Sequence, residues 1–246
     1  MKQVEETKSK KNVFCLFYEK TIGRIIPKYG LLSVIFCFVF NSLIYFGLQL
    51  LLKDVRRFDL TTAMDESIPF MPAWSVIYLS CFAFWGANYI LITRQGKEEW
   101  FKFATGDYLS RIICAVFFIL MPTTNVRPEV IGGGIGQSLV RFIYFMDAPT
   151  NLFPSIHCLV SWFCYIAIRK KEYLPKWYRA FSCIFAIMVF ASTLLTKQHF
   201  IVDVAGGVLL AEACYFIGNH SDWYKKVMGI FDRINSRIFG EGWNEE

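Results

Sequence analysis

The sequence predicts an all-α, polytopic membrane protein: a bundle of six transmembrane helices, with a short interfacial helix in the loop between spans three and four. Three observations carry this prediction. Of 246 residues, 55% are hydrophobic and 18% aromatic, and the mean hydropathy of +0.39 is too high for a soluble domain of this length. Apolar runs approaching or reaching bilayer length recur along the chain. The lysines and arginines behind the net charge of +6 lie in short blocks between those runs, a pattern of membrane topology and not of nucleic-acid binding.

Residues 1–29 form a basic segment with Lys2, Lys8, Lys10, Lys11, Lys20, Arg24 and Lys28, expected on the cytoplasmic side. The membrane domain occupies residues 30–217, and residues 218–246 form a cytoplasmic tail, amphipathic or loosely ordered. Span one, Leu31–Leu52, is too long for a signal-peptide core and has no cleavage site behind it, so it is expected to remain as an anchor. Lys53–Ser67 reads as a loop. Span two, Ile68–Ile92, opens with Pro69 and Pro72, which a first helical turn tolerates. In span three Asp107 and Arg111 stand four residues apart before the apolar run Ile112–Leu120. They are expected to pair on one face, with Arg111 able to snorkel, although ionisable groups in bilayers also serve function.

The glycines between 132 and 136 lack the strand and helix of a dinucleotide loop and read as a flexible connection. Gln137–Met146 has the pattern of a helix lying in the interface. Span four, Cys158–Ile168, borrows its first turn from Ser155–His157, span five is Trp177–Leu195 and span six His199–Ile217. Eight cysteines without a CxxC pair read as lipid-facing or packing residues and not as a metal site or disulfide framework. With the N-terminus inside, the basic stretches 94–102 and 169–179 are inside too. The end of span three and the starts of spans four and six then face outward together.

That side holds the polar residues. His199 and Asp203, four apart, share a helix face, so the carboxylate can orient one imidazole nitrogen and leave the other as a base or nucleophile; the pair could equally seal the mouth of the bundle. No further carboxylates or histidines accompany it, so no metal and no cofactor is expected. Ser155 has the position of a helix N-cap, where free backbone N–H groups favour phosphate. His157, in the same turn, could give a proton to a leaving oxygen or simply lie in the interface. Arg127 offers a planar fork to a phosphoryl group, with Lys197 and Arg141 as weaker candidates that could instead meet lipid head groups. Asp147 and Asn151 could bind substrate or cap local turns.

Pro154-Ser155-Ile156-His157, with His199 and Asp203 behind it and Arg127-Pro128 ahead, resembles the three-part signature of the type 2 phosphatidic acid phosphatase and vanadium haloperoxidase superfamily. The resemblance covers roughly residues 121–210. It implies that His199 attacks phosphorus to give a phosphohistidine, that Asp203 orients it and that His157 protonates the leaving group. Ser155, neighbouring amides and Arg127 would bind the phosphoryl oxygens. Three positions depart from the pattern: Leu120 where a lysine is usual, Thr193 where an arginine is usual, and Ile156 where glycine is common. The thinner set of cations is similar to the branch of inositol phosphorylceramide synthases. The expectation is a plasma-membrane enzyme, with its site on the extracytoplasmic side, hydrolysing a lipid phosphate or diphosphate such as phosphatidic acid or a polyprenyl diphosphate. The alternatives are a lipid head-group phosphotransferase and a non-catalytic membrane protein that retains the fold. Neither a nucleic-acid partner nor any particular oligomeric state is implied.

Overall fold

The computed structural model describes residues 13–240 and residue 243, so the expected basic residues Lys2, Lys8, Lys10 and Lys11 lie outside the described residues. The helices are α1 (Val13–Lys20), α2 (Leu31–Leu51), α3 (Ala63–Ser67), α4 (Ser75–Thr93), α5 (Lys97–Leu120), α6 (Ile135–Met146), α7 (Ile156–Ile168), α8 (Lys176–Leu195), α9 (Ile201–His220) and α10 (Trp223–Phe239). Two short strands, β1 (Phe58–Asp59) and β2 (Thr123–Thr124), pair in parallel and tie the loop after α2 to the loop after α5. The chain is an all-α polytopic membrane protein. Five helices (α2, α4, α5, α8 and α9) are long and apolar enough to cross a membrane, and α7 is a shorter apolar helix of 13 residues. At 1.5 Å per residue α7 runs about 20 Å.

Helix α5 runs through the centre, packed against α9, α2, α10 and α4, while α7 is held between α8, α9 and α4. Two glycines permit close approaches of backbone to backbone. A Cβ at Gly106 of α5 would lie 2.7 Å from the Cys214 carbonyl oxygen of α9, and one at Gly207 of α9 would lie 2.6 Å from the Ser155 carbonyl oxygen. Small residues at helix crossings let backbones meet where lipid supplies no hydrophobic drive between helices. Buried indoles find acceptors: Trp100 Nε1 donates to Ser33 Oγ at 2.6 Å and Trp85 Nε1 to Ser161 Oγ at 2.9 Å. Leu43, Leu50, Leu120 and Leu209 point outward, as a lipid-facing belt requires.

Several elements differ from the sequence expectation. Span two becomes helical only at Pro72, in a 3₁₀ turn, and α4 proper begins at Ser75; Met71 N instead donates to Leu195 O at 2.8 Å, so residues 68–71 brace the end of α8. Most of the basic stretch 94–102, from Lys97 to Lys102, is helix, because Gly96 at φ +111 turns the chain and α5 starts immediately after it. Arg111 does not snorkel. It is 2% exposed and pairs with Asp107 at 2.8 Å, while Tyr89 Oη donates to the same carboxylate oxygen at 2.8 Å. Of the two readings of the cysteines, packing holds for Cys37, Cys81, Cys114, Cys158, Cys164 and Cys214, which are buried, while Cys183 is half-buried. Span six begins at Ile201, because residues 196–200 turn between two helices.

Two outcomes follow from this packing. Gly207→Ala is expected to lower stability by about 1 to 3 kcal/mol through overpacking against Ser155, whereas Gly47→Ala, with nothing within 4 Å of the new Cβ, is expected to be neutral or slightly stabilising; thermal unfolding in detergent compares them. Asp107→Ala leaves Arg111 buried without a partner and is expected to cost about 3 to 5 kcal/mol, most of which Asp107→Leu combined with Arg111→Met should restore.

Candidate active site

The helix N-termini of α7 and α9 meet at one end of the bundle. The junction is direct: Ser155 N donates to the carbonyl oxygen of Asp203 at 3.0 Å. The C-terminus of α5 arrives at the same end, where Thr123 Oγ1 accepts from the amides of Leu152 and Phe153 at 2.9 and 3.0 Å.

His199 owes its position to the way α8 stops. Lys197 N donates to Leu194 O at 3.1 Å and Gln198 N to Thr193 O at 2.9 Å, the paired bonds of a Schellman ending. Lys197 takes the left-handed position at φ 55, where glycine is usual and another residue costs about 1 to 3 kcal/mol. His199 N also reaches Thr193 O, at 3.2 Å, so the histidine leaves the helix end with a fixed backbone. Four residues on, Asp203 is fully buried; its Oδ2 lies 3.2 Å from His199 Nδ1 and accepts from Phe200 N at 2.9 Å. One carboxylate thus caps α9 and orients the imidazole, and the Nε2 atom is left without that partner.

His157 sits in the first turn of α7, its ring centroid 5.9 Å from that of His199. Tyr78 packs on it at 4.5 Å and Trp85 at 5.5 Å. The Tyr78 hydroxyl is 3.5 Å from His157 Nδ1 and donates to Asp147 Oδ2 at 3.3 Å; Tyr45 Oη donates to Asp147 Oδ1. Ser155 caps α7, accepting from Cys158 N at 3.3 Å. Its own amide is taken by Asp203, but the amides of Ile156 and His157 have no helical acceptor ahead of them and remain as donors.

Arg127 is held by three groups: Nη1 donates to Asp147 O, Nη2 donates to Gln198 Oε1 at 2.7 Å, and the guanidinium lies 4.7 Å over the Tyr144 ring. Arg127 Nε and Gln198 Nε2 are sequestered without partners, so donor capacity remains beside His199. Burial pushes the Tyr144 phenol up to about 12 against the opposing pull of Arg127, and it stays a donor, to Thr196 O at 2.9 Å. Lys197 lines the same cavity as His199 and gives its Nζ to Asp65 O at 2.8 Å. Asp65, in α3, accepts from Ile201 N at 2.8 Å, the first amide of α9. Burial alone would raise the Asp65 carboxyl; bonds from Thr62 and Ile201 and the charge of Lys197 outweigh it and hold the group below the usual carboxylate range.

Arg141 is not brought here; its Nη1 donates to Val130 O and Gly132 O, both at 3.0 Å. Asn151, in the left-handed region at φ 57, donates to Tyr45 O at 3.4 Å and shapes the loop. The sequence reading passed over Tyr78, Tyr45, Gln198, Tyr144 and Asp65. Gln198 adjoins a histidine already singled out and Asp65 closes a Thr62-x-x-Asp65 capping box, so those two left a local signal. The tyrosines lay in apolar stretches and left none.

His157 and His199 each line a cavity of their own. A polar one of about 660 Å³ is lined by His199, Arg127, Lys197, Asp59, Asp65 and Glu66 among others, and an apolar one of about 400 Å³ by His157, Tyr45, Tyr78, Phe82, Trp85 and Phe142 among others. Such a site can present a nucleophile from the polar side and a proton from the apolar side to one phosphorus atom. Comparison with curated proteins and with solved structures found no match. Comparison with protein families found one, described as the PAP2 superfamily, over residues 107–226, a stretch that spans both histidines and Asp203. Over these residues the chain is similar to the PAP2 superfamily.

Proposed function

We propose that the chain hydrolyses a lipid phosphate or diphosphate, of the phosphatidic acid or polyprenyl diphosphate type, through a phosphohistidine at the outer face of the plasma membrane. The observation that carries this reading is the pair of imidazoles 5.9 Å apart, one on a polar cavity and the other on an apolar one. An in-line displacement needs attacking and leaving atoms on opposite sides of phosphorus. With the phosphoryl group between the rings, His199 Nε2 attacks from the polar side and the lipid oxygen departs toward the apolar side, where a chain can lie. The P–O bond to the lipid breaks as the P–N bond forms, and His157 gives its proton to the departing oxygen. Water taking the place of the departed lipid oxygen, on the side opposite His199, then loses a proton to His157 and displaces His199 in line, releasing inorganic phosphate. Arg127, Gln198 and the first-turn amides of α7 are the donors for the equatorial oxygens.

The outer-face assignment rests on charge. Arg94, Lys97 and Lys102, then Arg169 to Arg179, then Lys225 to Arg237 supply cations at the end of the bundle opposite the histidines, and basic ends stay cytoplasmic.

One observation favours the transferase reading. A cavity of about 660 Å³ has room for much more than a phosphoryl group, and a phosphodiester, with one charge fewer, demands fewer cations than a phosphomonoester. Thr193 and Leu120 stand where cations would be, and Leu120 is 75% exposed at the end of α5. In that reading an alcohol replaces water.

Purified protein in vesicles with phosphorus-labelled lipid separates the two. Free labelled phosphate is expected; a new labelled phospholipid on adding an alcohol would establish transfer, and no turnover of any lipid phosphate would overturn both. His199→Ala is expected to lose on the order of 10³-fold or more in turnover with unfolding temperature retained, and vanadate, a mimic of five-coordinate phosphorus, is expected to inhibit competitively.

A further inference from the structure

We propose that Tyr78 and Asp147 are positioning residues that form a relay to His157, fixing its tautomer and supporting its charged form. The proposal rests on the phosphoryl-transfer reading above and adds to it the means by which the proton donor is held.

The Tyr78 hydroxyl has a single hydrogen, and it lies between two groups: Asp147 Oδ2 at 3.3 Å and His157 Nδ1 at 3.5 Å. Asp147 is the stronger acceptor, so the phenol donates there and offers its lone pair to His157. Nδ1 then carries the proton, and Nε2 is the atom free to exchange a proton with substrate. The ring geometry limits other arrangements: Tyr78 is 2% exposed, and its ring lies 4.5 Å from the imidazole at an interplanar angle of 32°.

Asp147 itself is fixed. Tyr45 from α2 donates to Oδ1 and Tyr78 from α4 to Oδ2, and Arg127 spends its nearby contact on the backbone carbonyl, not on the carboxylate. Two phenols hydrogen-bond the carboxylate but do not neutralise it. Its negative charge opposes the burial and the neighbouring His199 imidazole, which both disfavour a proton on His157, the state in which it must meet the leaving oxygen. The two catalytic histidines are then tied alike through Nδ1, His199 directly to Asp203 at 3.2 Å and His157 through a phenol. All four relay residues, Tyr45, Tyr78, Asp147 and His157, line the apolar cavity, where the leaving group lies in the proposed reaction.

The test is leaving-group dependence. Tyr78→Phe keeps the ring and its packing and removes only the hydroxyl. With full-length protein, kcat/KM for a lipid phosphate, whose alkoxide leaving group needs a proton, is expected to fall ~10-fold, a fraction of the 10²- to 10⁴-fold that acid–base catalysis supplies. For nitrophenyl phosphate, whose leaving group departs without a proton, it is expected to stay within about 2-fold, because the acid has little left to contribute. Asp147→Asn is expected to show the same selectivity. Retained nitrophenyl phosphate turnover also reports a folded site. Equal losses on both substrates, or none on either, would overturn the relay while leaving the phosphatase reading standing; an unmodified protein inert toward both substrates would overturn that reading and the relay with it.

Discussion

Everything at the functional end hangs on one junction, where the amide of Ser155 meets the carbonyl oxygen of Asp203 at 3.0 Å and Gly207 leaves no Cβ to hold the two backbones apart. Ser155 heads α7 and Asp203 lies in the first turn of α9, so this contact sets two helix N-termini side by side. The partly unsatisfied donors and positive dipole ends of both helices then converge on one small volume. That concentration of positive potential is expensive unless an anion or a capping carboxylate answers it, and Asp203 answers part of it at α9. The remainder is available to an anion.

The same economy governs the buried polar groups. Asp203 serves as helix cap and as imidazole partner, and Asp147 is satisfied by two phenols. Neither has a lysine or arginine on its carboxylate among the described residues. The charges are held by hydrogen bonding, so they stay available to polarise imidazoles instead of being quenched in ion pairs. Asp107 and Arg111 show the opposite solution farther along α5, where carboxylate and guanidinium pair directly and the consequence is structural.

The cation supply at the site is lean and indirectly built. Thr193 contributes a backbone carbonyl that anchors Gln198 and His199, and Gln198 in turn grips Arg127. Lys197 is held in a left-handed backbone conformation with its ammonium on Asp65, whose carboxylate also takes the first amide of α9. Helix α3 therefore supports the start of α9. A single planar cation with donors to spare is suited to an anion of low charge, or to one whose charge is shared with backbone amides.

Local chemistry was legible in the sequence because it depends on neighbours in the chain. Runs of apolar residues set the helices, the four-residue interval set His199 against Asp203, and proline followed by serine set the cap of α7. The ordered histidines and Arg127-Pro128 carried the family resemblance for the same reason. Contacts between segments far apart in sequence were not legible. Tyr78 meets His157 across 79 residues and Tyr45 meets Asp147 across 102, and a tyrosine in an apolar stretch looks the same whether it faces lipid or a carboxylate. Arg111 could be read as snorkelling because length alone permits it, and only the packing of α5 at the centre of the bundle buried it. Arg141 could be read as a phosphate ligand because charge alone permits it, yet helix α6 turned it toward the carbonyls of its own loop. Composition and spacing thus determined that there are spans and that two histidines share one end. Which side chains surround those histidines was decided by tertiary packing, because the direction of a side chain depends on the rotation of its helix, which only the neighbouring helices fix.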